Sequence, residues 1–411
     1  MSAAYNFQII GERTSQPPNS RVIPGHISAL DGLRAFAIIA VMFHHYGEYY
    51  LLPLLSRSSW IRFAIAVGGS GVDLFFVLSG FLITGILLDT SDRSDYFPRF
   101  YWRRALRIWP LYYVFLLLVL IFHGHSFRMI GFAPYALFYR NFLRPDSASD
   151  IYIGQFWSLC VEEQFYLVWP MVLLYCPKRF RMAGIIGLFI AALLARGYLL
   201  AHGTDLYTVE RLTYCRMDDL VAGAAIAVLI RHGARQSSLR AICWSALVIG
   251  FAGVFLVGYG THFVTVGLTS FALLYGGAVG LSARATGHFA SAFLGLPLFR
   301  AISKRSYAMY VFHLVPLYAS YKLLLRMKLF PLAPGSALLV MLAVGLITYG
   351  LSWLSWRYLE EPFLLLKDWE WFSRKPRRFP KSIGPPENLD AQVTLPDTGA
   401  AKDTVSEQRL I

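Results

Sequence analysis

Apolar runs of helical length recur along this chain, with polar clusters between them. Ten such runs fall at 33–51, 68–88, 105–122, 157–175, 182–200, 217–230, 241–259, 262–281, 303–325 and 334–356. Most are long enough to cross a hydrocarbon core of ~30 Å at about 1.5 Å per residue. Long runs dominate over strand-like alternation, which argues against a closed barrel. The expected fold is all-α, a polytopic membrane protein with about ten transmembrane helices. Residues 52–67 read as a short connection. Residues 123–156 read as the longest internal one, with a surface helix at 131–143. Residues 282–302 read as a loop, because Pro297 opposes one continuous helix.

Residues 1–30 read as a polar cytoplasmic tail and 31–362 as the membrane domain. Residues 363–411 read as a basic, partly disordered cytoplasmic tail that carries RKPRR at 374–378. No small-residue cleavage site follows the first run, so it reads as a retained span. An even number of crossings puts both ends on one side. Connections 89–107, 177–181, 231–240 and 282–305 hold fifteen Lys or Arg; the alternate set, 52–67, 123–156, 201–216 and 326–333, holds nine. That bias, with the basic tail, places both termini in the cytoplasm.

Composition agrees. The chain has 411 residues, 56% apolar and only 15% charged, where a soluble domain carries about 25% charge. The net charge of +14 sits mostly in loops and tail, where orientation and lipid or substrate phosphates account for it. A soluble nucleic-acid binder is excluded by the spans. Cys160, Cys176, Cys215 and Cys243 show no CxxC spacing, so neither a metal site nor a disulfide framework is expected.

The informative residues are the polar ones inside this apolar envelope, where a charge is expensive and usually kept for a partner, cavity or substrate. Arg34 and His45 are eleven residues apart. Three turns plus about 20° put them on one helical face, ~16 Å apart along the axis. That face is expected to line a passage from one membrane surface to the bilayer centre. Arg103, Arg104 and Arg107 cluster at the start of the third run, and Arg104 and Arg107 share a face. The arginine fork suits phosphate; anchoring to lipid head groups accounts for the cluster as well. His44, His45, Asp73 and His313 lie at hydrocarbon depth. Histidine is suited to take a proton near neutral pH, and helix–helix hydrogen bonding is the structural alternative. Glu162 and Glu163 lie in the fourth run, and Arg216, Asp218 and Asp219 open the sixth. Arg357 and Glu360 close the tenth. No metal-ligand spacing occurs among them.

Seven segments resemble the acyltransferase-3 family of membrane O-acyltransferases, which act on polysaccharides and related glycans. They are LDGLRAFAIIAVMFHH (30–45), GVDLFFVLSGFLI (71–83), RRALRIWP (103–110), FWSLCVEEQFYLVWP (156–170), RMDDLVAG (216–223), ISKRSYAMYVFH (302–313) and RYLEEP (357–362), in family order. The family's arginine, ten residues, then essential histidine falls on Arg34 and His45, and not on His44. Its RxxR pair falls on Arg104 and Arg107, and its glutamate pair on Glu162 and Glu163. Cys160 replaces a serine of the family pattern. Some members carry an appended SGNH-type esterase domain; the polar residues after the tenth run resemble the stand-alone form.

The resemblance implies a bacterial inner-membrane enzyme that takes an acyl group from cytoplasmic acyl-CoA, most often acetyl-CoA. The acceptor is a hydroxyl of a glycan or lipid-linked saccharide. It implies no bound cofactor, no metal and no nucleic acid. Membrane lipids and other polysaccharide-biosynthesis proteins are the remaining expected partners. In this scheme Arg34, Arg104 and Arg107 hold the CoA phosphates. His45 is the general base, oriented by Asp73 or Glu163; an acyl-histidine intermediate is the covalent variant. A transporter or flippase for a lipid-linked sugar is the alternative from another class, though no internal repeat supports it.

Overall fold

Every element among the described residues is a helix or a helical turn. The computed structural model describes residues 27–55, 58–144, 152–257, 262–284 and 289–368. Of the expected tails at 1–30 and 363–411, residues 1–26 and 369–411 lie outside them, as do 258–261, while Ser28–Leu30 belong to a helix and 363–368 continue in helical turns. In order the helices are α1 (Ser28–Tyr50), α2 (Ser59–Gly69), α3 (Gly71–Asp89), α4 (Tyr96–Ile130), α5 (Phe156–Tyr175) and α6 (Arg181–Ala201). Then come α7 (Met217–Arg231), α8 (Gln236–Val257), α9 (Leu268–Arg284), α10 (Pro297–Phe312), α11 (Leu314–Arg326) and α12 (Pro334–Ser355).

Several boundaries differ from expectation for local reasons. The connection at 52–67 is largely α2, capped by Ser58, whose hydroxyl accepts the Ile61 N–H at 3.4 Å. α2 and α3 part at Ser70, whose hydroxyl donates to the Val67 carbonyl at 2.6 Å. α4 begins at Tyr96, inside the charged segment taken for a loop. The surface helix at 131–143 reduces to Ala133–Ala136 and a 3-10 turn, Arg140–Phe142. The loop at 282–302 contains a helix, Phe289–Leu294, and Pro297 opens α10 where its missing N–H costs nothing. The run at 303–325 is two helices bent by 55° at His313. Pro316, in the first turn of α11, has no N–H for the Phe312 carbonyl and crowds it, so the helix cannot continue straight.

By length and apolarity, six helical stretches among the described residues can cross a membrane: Ser59–Asp89, Tyr96–Phe122, Arg181–Ala201, Gln236–Val257, Phe263–Arg284 and Pro334–Leu365. The bent pair α10–α11 makes a seventh if it is one span. The expected runs at 33–51, 157–175 and 217–230 also form helices, but α7 has only 15 residues. α1 and α5 are diluted by Arg34, His44 and His45 and by Glu162, Glu163 and Gln164. These polar helices are packed among apolar ones. α7 lies along α3 in the most extensive helix pair and also meets α6 and α9; α1 touches α2, α3, α10 and α12. Gly80 and Gly223 permit the α3–α7 approach: a Cβ on Gly223 would lie 1.9 Å from the Val77 carbonyl oxygen.

A buried charge network ties four helices together. Arg196 of α6 donates to both carboxylate oxygens of Asp218 on α7, at 3.0 and 2.6 Å. It also donates to Thr269 of α9 and to the Cys215 carbonyl. Beside it, Arg216 bridges Asp73 of α3 at 3.0 Å and Asp219 at 3.2 Å. All five charged residues are at most 3% exposed. Removing one partner leaves a bare charge in a low-dielectric interior, which costs about 3–5 kcal/mol, whereas removing both is often close to neutral. Arg196→Leu is therefore expected to lower the unfolding temperature in detergent sharply, and Arg196→Leu with Asp218→Leu to recover most of the loss. A double variant no more stable than the single one would contradict this pairing.

Candidate active site

α1 carries a cavity at each end of one face. The first is a slot of about 110 Å³, lined by Arg34, Arg104, Arg107, Ser79, Glu162 and Tyr166 among others. Arg104 and Arg107, one turn apart on α4, both reach it, as their i,i+3 spacing requires. Their guanidinium groups lie over aromatic rings: Arg104 is 5.7 Å from the centre of Tyr166, and Arg107 is 5.4 Å from Trp356. Among the described residues, no carboxylate comes within ion-pair distance of Arg34, Arg104 or Arg107. Glu162, though in the slot, is engaged by the Ser79 hydroxyl at 2.8 Å, and Tyr166 lies 2.9 Å from the same hydroxyl.

The second cavity is larger, about 840 Å³, and mixed in character. His44, His45, Glu48, Asp73, Trp157, Glu210 and Arg211 are on its wall. Arg211 lies 3.8 Å from the Tyr207 ring centre and 5.9 Å from that of Trp157. At its rim Asp205 caps the short helix Leu206–Arg211. Its carboxylate accepts from the Thr208 hydroxyl at 2.7 Å and from the Thr208 N–H at 2.9 Å. Those bonds hold the Asp205 carboxyl below the usual range, so it stays charged. Rings and fixed hydrogen-bonding groups together suit a polar, ring-shaped guest.

Val72 and Tyr310 line both cavities. They form the wall between them, with the Phe75 ring 6.1 Å from that of Tyr310. In place of the single passage expected along the Arg34–His45 face, the structure shows two cavities that share Val72 and Tyr310 as lining. The Tyr310 hydroxyl is fixed by Ser158 at 2.6 Å and by the Gln155 carbonyl at 2.9 Å.

His45 is half-buried, and its Nδ1 faces the Val41 carbonyl at 3.0 Å and His313 Nε2 at 3.3 Å. A carbonyl oxygen can only accept, so Nδ1 carries the proton and Nε2 keeps its lone pair. No partner for that Nε2 occurs among the described residues. His44 packs edge-on against His45, ring centres 5.0 Å apart, but bonds elsewhere: its Nδ1 donates to the Ile65 carbonyl at 2.8 Å, and its Nε2 is 3.7 Å from Glu48.

The two carboxylates expected to orient His45 are occupied elsewhere, and among the described residues neither contacts it. Asp73 lies in the same cavity but pairs with Arg216. Glu163 accepts from the Trp109 indole N–H at 3.1 Å and lines neither cavity. Asp218 and Asp219 belong to the buried network. Of the six sequence-derived candidates, the structure groups Arg34, Arg104 and Arg107, groups His45 with Asp73, and leaves Glu163 apart. Sequence reasoning missed Val72, Tyr310 and Arg196. Arg196 had a signal, a lone charge in the middle of an apolar run; Val72 and Tyr310 had none.

The acyltransferase-3 family model, described as an acyltransferase domain, matches residues 27–357, and the chain belongs to this family. It is 28% identical over 369 residues to the O-acetyltransferase OatA of Staphylococcus aureus, covering 82% of this chain and 57% of that protein. It is 34% identical over 224 residues to the peptidoglycan O-acetyltransferase OatA of Listeria monocytogenes, covering 49% of this chain and 34% of that one. It is 31% identical over 285 residues to the putative peptidoglycan O-acetyltransferase YrhL of Bacillus subtilis, covering 60% and 42%. The chain thus spans about half the length of these curated relatives, or less. No solved structure matches it.

Proposed function

We propose that this protein is an O-acetyltransferase that moves an acetyl group from acetyl-CoA to a hydroxyl of an exported or lipid-linked glycan. One observation carries the reading. Three arginines with no carboxylate at ion-pair distance among the described residues converge on a slot, and that slot shares Val72 and Tyr310 with the chamber of His45. Guanidinium groups placed so at a slot suit an anion, and CoA brings phosphates on a thin, flexible arm. The similarity to O-acetyltransferases supports the acetyl group and the glycan.

In this scheme Arg34, Arg104 and Arg107 bind the CoA phosphates, and the pantetheine arm enters the slot. The thioester reaches the shared wall at Val72 and Tyr310. A sugar hydroxyl in the larger chamber gives its proton to His45 Nε2 as its oxygen attacks the thioester carbonyl. The carbon–sulfur bond breaks, and the thiolate recovers that proton to leave as free CoA. Asp73 contributes through Arg216 to the floor of the chamber, and Glu163 helps hold α5 to α4. α1, α5 and α7 complete ten crossings of the bacterial inner membrane. Both termini are cytoplasmic, residues 31–362 forming the acyltransferase domain. Polysaccharide-biosynthesis proteins that deliver the acceptor are the natural partners.

Four outcomes test this. In inverted membrane vesicles supplied with radiolabelled acetyl-CoA, label should enter a glycan or lipid-linked fraction with the wild type. Folded His45→Ala should transfer at least about a hundredfold more slowly, the usual loss with a general base; wild-type rates in that variant would end the scheme. Arg104→Ala should raise the donor KM about ten- to a hundredfold, the worth of a charge-assisted hydrogen bond, and leave the acceptor KM in place. An unchanged donor KM refutes the phosphate role. Val72→Trp should close the way past that wall, so that CoA still binds with wild-type affinity while transfer falls by about a hundredfold or more. Undiminished transfer would show that the acetyl group takes another route.

A further inference from the structure

The bend at His313 leaves a set of backbone carbonyls without their usual helical donors, and side chains supply substitutes. His313 Nδ1 donates to the Tyr310 carbonyl at 2.8 Å, and Gln155 donates to the Val311 carbonyl at 3.1 Å. At hydrocarbon depth such groups must be satisfied within the protein. The consequence for His313 is chemical. With Nδ1–H committed to a carbonyl, its Nε2 holds a lone pair, and that lone pair faces His45 Nδ1–H at 3.3 Å. The ring is fully buried, and its centre lies 4.8 Å from that of His45.

We propose that His313 is the positioning residue of His45, taking the place that a carboxylate occupies in other base–orienter pairs. The inference rests on the reading of His45 as the general base. His313 Nε2 and the Val41 carbonyl share the Nδ1–H of His45 and so keep Nε2 as the basic nitrogen. When His45 takes the acceptor's proton, its Nδ1–H becomes a charged donor, and the contact to neutral His313 strengthens at that moment. Such a contact acts on the chemical step and not on substrate binding. The proline-induced bend thus decides which nitrogen of His313 is protonated, and through it which nitrogen of His45 is free.

Two isosteres separate positioning from carbonyl capping. Asparagine can place an amide N–H where Nδ1 was but cannot reach His45. Glutamine can place an acceptor oxygen where Nε2 was. His313→Gln is expected to keep kcat within about threefold of wild type, and His313→Asn to lose about ten- to a hundredfold in kcat with both KM values unchanged. CoA affinity, read at the distant arginine slot, reports that each variant is folded. Sparing of the asparagine variant, equal losses in both, or wild-type kcat in both would overturn the proposal. A wild-type protein that binds CoA but transfers no acetyl fails the function itself, an outcome distinct from any of these.

Discussion

The cost of placing charge in hydrocarbon governs this structure. The helices that carry the buried polar residues, α1, α3, α5 and α7, are packed against one another and against α9, and α6, α8 and α12 face outward. The Ser59–Asp89 and Phe263–Arg284 stretches are 72% and 61% buried, whereas Arg181–Ala201, Gln236–Val257 and Pro334–Leu365 are 17%, 17% and 22% buried. The Arg196–Asp218 pair shows how strict the rule is. α6 faces outward along most of its length, yet its one charged position at that depth turns inward to a bidentate partner.

That rule also separates two kinds of arginine. Arg196 and Arg216 have carboxylates against them and are at most 1% exposed, so they hold helices together. Arg34, Arg104 and Arg107 have none among the described residues and line an open slot. The network arginines meet carboxylates within 3.2 Å, and the three slot arginines meet none at ion-pair distance among the described residues, a difference that has a reason. An anionic guest is the simplest one. The histidines divide in the same way. His44 is bound to α2 and Glu48, while His45 presents an unclaimed nitrogen to the larger chamber.

Much of this was legible in the sequence. Eleven-residue spacing put Arg34 and His45 on one face, and the i,i+3 spacing put Arg104 and Arg107 together; local periodicity suffices for both. Partners across the fold were not legible. Asp73 and Glu163 were plausible orienters of His45, but long-range packing gives one to Arg216 and the other to Trp109. Boundaries failed where polar residues sit on helices. Ser59–Gly69 and the first turns of α4 carry Trp60, Arg62, Arg99 and Arg103, which read as loop but are held in place by capping and packing. Pro297 was read as a breaker and is a helix starter. The same kind of residue at 316 was the true breaker, because it follows a helix rather than a loop.

The wall at Val72 and Tyr310 has a consequence for the order of events. The two cavities share only Val72 and Tyr310 among their lining residues. For the proposed reaction, neither substrate waits for the other to vacate its seat, and neither product blocks the other's exit. An acetyl group and one proton are the only cargo that has to change compartments. Whole sugars need not pass that wall in the proposed reaction.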